Sequence, residues 1–122
     1  MTWSTKRYLA FHQECCDKMV AITAAKNSDY TGDSGDPFSN FTQVERDGIC
    51  DTTTGFLTRM SDKWSRIRSL IKKGGVGAVL TESLEDTLLD FANYCILLAG
   101  FLRSRADDKA DAAAVALGAP KS

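Results

Sequence analysis

Residues 81–94 constrain this chain more than any other stretch. They read as a helix that turns almost wholly apolar, yet keeps Asp90 and Asn93 within its apolar part. At about 100° per residue, Glu82, Asp86, Asp90 and Asn93 fall on one stripe. Leu84, Leu88, Phe91, Cys95, Leu98 and Leu102 fall on the opposite face. Leu89, Ala92, Ile96 and Leu97 fill much of the remainder, which is the pattern of a helix buried nearly all round. A carboxylate in such a place is costly unless it meets a cation, a metal or several donors. Whatever fold forms has to bring a partner to that stripe.

The rest of the chain reads as helical too. In residues 5–26, Tyr8, Phe11, Cys15, Met19 and Ile22 recur at helical spacing, with Thr5 in the cap region. Residues 27–40 gather Gly, Pro and small polar side chains, the composition of a long loop. Phe38 and Phe41 are expected to pin its end to the core. A short helix over residues 41–48 follows and stops at Gly48. Residues 52–72 form a second long helix with an apolar stripe of Phe56, Met60, Trp64, Ile67 and Ile71. The run Lys72-Lys73-Gly74-Gly75 is its stop. The third long helix spans residues 82–104, started by Ser83 with Asp86 or by Thr81 as cap. No strand series and no internal repeat is evident. The expected fold is all-α: three long antiparallel helices plus a short one, completed by oligomerisation, because a second subunit would close over the charged stripe. Residues 1–105 make one helical domain. The Ala-rich tail, 106–122, either continues as helix or frays.

Charge is uneven along the chain although the formal net charge is only −1. Residues 29–51 hold six acids and one base, residues 57–73 six bases and one acid, residues 82–95 four acids and no base. The small net charge gives no strong nucleic-acid signal and no attraction to an anionic membrane surface. No apolar run approaches the roughly 20 residues of a membrane span. The N-terminus has no apolar segment of the signal-peptide kind. The four cysteines, Cys15, Cys16, Cys50 and Cys95, form no Cys-x-x-Cys pair, and there is one histidine, His12. That set argues for reduced, mostly buried thiols rather than a zinc site.

Several constellations carry chemistry. Glu82, Asp86 and Asp90 step about 6 Å apart along one face and can offer carboxylates to Mg²⁺. Glu82, Glu85 and Asp86 equally suit a helix N-terminus through its dipole. Arg59, Lys63 and Arg66 share a face at i, i+4, i+7, so an antiparallel pairing with the acidic helix gives either a buried ion network or a pocket for phosphate oxygens. Asp29, Asp36 and Asn40 lie in the loop that would close such a pocket. That loop is not an EF-hand, since Ser34 and Asn40 stand where glycine and glutamate are required, and it is not a P-loop. No nucleophile–base–orienter set can be assembled, so no catalytic residue is assigned.

The motifs Lys26-Asn27-Ser28-Asp29-Tyr30, Asp36-Pro37-Phe38-Ser39-Asn40-Phe41, Gly55-Phe56-Leu57-Thr58-Arg59-Met60-Ser61-Asp62-Lys63-Trp64-Ser65-Arg66 and residues 82–94, in that order, resemble the phage "nucleotide modification associated" domain family. The resemblance covers about residues 8–104. It implies a viral protein of the host cytoplasm, linked to nucleotide metabolism or DNA base modification, and leaves the reaction open. A looser similarity is to MazG-type and dimeric dUTPase-type helical pyrophosphatases, which hold Mg²⁺ and a nucleoside triphosphate on helix-borne acids. Their first acidic motif is replaced here by basic Arg59-x-x-Asp62-Lys63-x-x-Arg66.

The leading expectation is a protein that binds a nucleotide or nucleotide-derived phosphate ligand. Arg59, Lys63, Arg66 and Asn93 would meet the ligand, Asp29, Asp36 and Asn40 would close over it, and Glu82, Asp86 and Asp90 would hold Mg²⁺ if hydrolysis occurs. The alternative is a non-enzymatic anti-defence protein that sequesters a host nucleotide signal or binds a host protein. In either case a homo-oligomer is expected.

Overall fold

The computed structural model describes residues 2–31 and 35–118, and side chains throughout these except 27–31. Among the described residues the fold is all-α, with no strand. The elements are α1 (Thr5–Thr31), α2 (Ser39–Arg46), α3 (Thr52–Gly74), a short 3-10 turn (Gly75–Gly77) and α4 (Glu82–Ala116).

The helix ends follow local chemistry. Ser4 Oγ accepts from Arg7 N at 3.1 Å and starts α1 one residue before the expected cap. α1 then runs to Thr31, through what was expected to be the first part of a long loop. No glycine or proline interrupts residues 27–31, so nothing forbids the extra turn. Asp36 Oδ1 accepts from Phe38 N at 2.8 Å, a local turn that leads into α2. Gly48, at φ 76°, ends the run after α2, with Ile49 N donating to Val44 O at 2.9 Å. At the start of α3, Asp51 accepts from Thr54 N at 2.7 Å and Glu45 accepts from Thr52 N at 3.1 Å. Gly75 closes α3 at φ 66°, within the glycine pair expected to stop it. Thr81 caps α4 by accepting from Leu84 N. α4 passes residue 105 without a break, because the alanine-rich segment beyond it is strongly helix-forming.

The core is small and aromatic. Phe56 is fully buried, with Phe41 stacked on it at 4.0 Å and 4° and Phe101 beside it at 5.8 Å. Phe38 meets Phe101 edge-on at 5.7 Å, so both loop phenylalanines do pin α2 to the core. Gly55 lets α2 lie close: a Cβ there would sit 3.0 Å from Val44 Cγ2.

Pairs Phe56–Phe101, Trp64–Phe91 and Arg66–Thr87 step in opposite directions, so α3 and α4 are antiparallel. α1 packs on α4 through Lys18 to Glu85, Met19 to Asn93 and Lys26 to Asp90. Of the expected antiparallel packing of three long helices, the α3/α4 pair is the part that these side-chain contacts show directly. Nor is α4 buried all round in this chain: Leu88, Cys95, Ile96 and Leu102 are exposed.

Candidate functional site

Asp90 answers the question posed by its helix. Its carboxylate lies 3.5 Å from Lys63 Nζ and 3.7 Å from Lys26 Nζ, with its side chain 27% exposed. Antiparallel packing of α3 supplies Lys63, and α1, packed on α4, supplies Lys26. One acid between two cations leaves the trio with a net positive charge. Asn93, one turn on, donates to Met19 O at 3.5 Å, the long limit of a hydrogen bond. Along the charged stripe α1 thus covers Asp90 and Asn93, while Glu82 and Asp86 stay exposed.

These residues form one wall of a cleft of about 450 Å³. α1 contributes Thr23 and Lys26, the α2 region Asn40 and Phe41, α3 Arg59, and α4 Asp90, Asn93 and Tyr94. The volume lies within the range of small-molecule sites, about 300–1,000 Å³. Arg59 is its notable group. The guanidinium sits 4.9 Å from the centroid of the Phe41 ring. Phe41 is held from behind by Phe56, and Tyr94 meets its edge at 5.9 Å and 86°. A cation over a ring face is positioned without being neutralised. No carboxylate lies within ion-pair distance of Arg59 among the described residues, and its planar fork of donors suits an anion.

Of the residues singled out from the sequence, Arg59, Asn40, Asp90 and Asn93 line this cleft, and Lys63 adjoins it through Asp90. Arg66 does not. Its Nε donates to Thr87 Oγ1 at 3.2 Å, and Thr87 donates to Ser83 O, which makes Arg66 a brace between α3 and α4. Asp36 spends its carboxylate on the turn before α2. The side chain of Asp29 lies outside the described residues. Glu82 and Asp86 are exposed and do not reach the cleft, and Glu85 pairs with Lys18 at 3.7 Å. No three His, Cys, Asp or Glu side chains among the described residues converge as a metal site would require. Carboxylates spaced along one helix need a second helix to complete a metal shell, and here the neighbouring helices present lysines.

Lys26, Thr23, Phe41 and Tyr94 were missed as site residues. Thr23 and Lys26 lie at i, i+3, one turn apart on α1, a spacing visible in the sequence. What the sequence did not carry was the packing of α1 on α4 that brings them to Asp90. Cys15 also lies where α1 meets α4: burial, with Glu85 as the next cause, pushes its thiol pKa up, so it is no activated nucleophile. His12 is exposed and stacks with Tyr8.

No protein family, curated protein or solved structure matches the chain. No described helix is long and apolar enough to cross a membrane.

Proposed function

We propose that the cleft binds a nucleotide or nucleotide-derived phosphate ligand, in the setting of viral nucleotide metabolism that the sequence resemblance implies. The observation that carries this reading is Arg59, held over Phe41 with no carboxylate of the described residues within ion-pair distance, and sharing with Lys26 a cleft of about 450 Å³. Arg59 and Lys26 would take phosphate oxygens, the first as a two-pronged donor and the second as a point charge. Asn40 and Asn93 offer amide donors and acceptors to the edge of a base or sugar, and Tyr94 and Leu97 supply apolar wall.

Binding without turnover is the form of this reading that the geometry favours. The acid in the cleft, Asp90, is already engaged by two lysines. A Mg²⁺ ion there would have to displace both, with neither Glu82 nor Asp86 in reach to help. Sequestration of a host nucleotide signal therefore stands ahead of Mg²⁺-dependent hydrolysis.

Thermal-shift titration against nucleotides and cyclic nucleotides, with Mg²⁺ and with EDTA, tests this. A ligand at 100 times its dissociation constant adds about 2.7 kcal/mol of stability. We expect a shift that survives EDTA, intact ligand on recovery, and loss of the shift in Arg59→Ala with the fold retained. A shift that needs Mg²⁺ and releases pyrophosphate or phosphate would replace sequestration with hydrolysis. No shift across the panel would sink the nucleotide reading and favour a host protein as partner.

A further inference from the structure

The side of the α3/α4 pair away from the cleft is apolar and uncovered. On α3, Leu57, Trp64 and Ile71 are spaced by seven residues, and on α4 Leu88, Cys95 and Leu102 are spaced likewise. The five large side chains among them are 40–54% exposed. Trp64, Ile71 and Leu88 line one shallow groove, so the two stripes lie on the same side of the pair. Asp90 and Asn93 sit about 160° and 140° around α4 from Leu88, which puts the cleft on the other side.

The chain also exposes more surface than a compact monomer of its size. The chain exposes 9028 Å². A compact monomer of 13.3 kDa is expected to expose about 6,500 Å². The excess, roughly 2,500 Å², exceeds the about 800 Å² per partner of a standard stable interface. Two antiparallel helices with seven-residue apolar spacing form a layer that is complementary to itself. A two-fold axis would stack two such layers into a four-helix arrangement.

We propose that two copies of this chain associate through the outer face of α3 and α4, built on Leu57, Trp64, Ile71, Leu88 and Leu102, leaving a cleft open on each side of the dimer. The proposal does not depend on what the cleft binds.

Sedimentation equilibrium of the full chain at micromolar concentration tests it. Wild type is expected at twice 13.3 kDa. Leu102→Lys is expected to raise the dissociation constant at least about a hundredfold, since symmetry counts each change twice. Its helical circular dichroism should be unchanged, because Leu102 is already half exposed in the single chain. A wild-type chain that stays at monomer mass at about 100 µM, weaker than any standard-size interface, would overturn the proposal, as would a Leu102→Lys protein that remains dimeric. Amide hydrogen exchange of the wild type decides the matter even if a variant misfolds. Protection of residues 57–71 and 88–102 that falls on dilution supports the interface, and protection independent of concentration refutes it.

Discussion

The two long faces of α4 invert the usual sorting of side chains. The face with Asp90 and Asn93 is polar, yet it is covered by α1 and braced by lysines from two helices. The face with Leu88, Cys95 and Leu102 is apolar, yet it is open. The difference teaches that partner charge, rather than hydropathy, decides how the first face is covered. A carboxylate is tolerated at an interface when cations reach it, and Lys26 and Lys63 can do so while their long stems cover apolar surface. The apolar face has no such device within the chain, and burying it takes another surface.

Changes at Phe56, Asp90, Leu102 and Asp51 test this picture. The largest effect is expected at Phe56, the ring beneath α2, α3 and α4 alike. Phe56→Ala leaves Phe41 and Phe101 without their shared partner and should cost about 3–5 kcal/mol, read by urea unfolding. A loss below about 1 kcal/mol would mean that the aromatic cluster is not the core.

A smaller effect is expected on the polar face. Asp90→Ala removes the acid and leaves Lys26 and Lys63 facing each other. Both pairs are partly exposed, so the cost should be about 1 kcal/mol and should shrink at high salt. The contrasting change on the open face, Leu102→Lys, should move the stability of the dilute single chain by less than about 0.5 kcal/mol. If the two changes cost the same, the contrast between the faces fails.

The smallest effect is a pH dependence at the start of α3. The Thr54 backbone N–H, donating to Asp51, holds its carboxyl below the usual carboxylate range. A depressed native-state pKa contributes stability above the unfolded value and loses it as pH falls through the folded one. The melting temperature should therefore fall in acid, and Asp51→Asn should flatten that part of the profile. An unchanged profile would show that the cap contributes nothing through its charge.

Much of the candidate site was legible early. Arg59, Asp90 and Asn93 stand out by residue type and helical spacing and Asn40 by its place in the loop that would close the site, and all four line the cleft. Lys63 was correctly set against α4. Arg66 shares its stripe but turns to Thr87, because one helical face is broad enough to serve a site at one edge and a helix–helix brace at the other. Among the described residues Glu82, Asp86 and Asp90 join no group of side chains that could hold a metal, and spacing along α4 does not say which side chains the neighbouring helices present.

The all-α class, the antiparallel α3/α4 pair and most helix ends followed from the sequence alone. Periodicity and caps act within a few residues, through backbone dihedrals and local hydrogen bonds. Thr81 as a cap and a glycine stop after Lys73 needed nothing distant. Only the tertiary structure decided where α1 lies on α4, that Lys26 joins Lys63 at Asp90, and which apolar stripe stays open. Helix packing comes from side-chain ridges meeting across elements far apart in sequence, and no spacing within one helix encodes it.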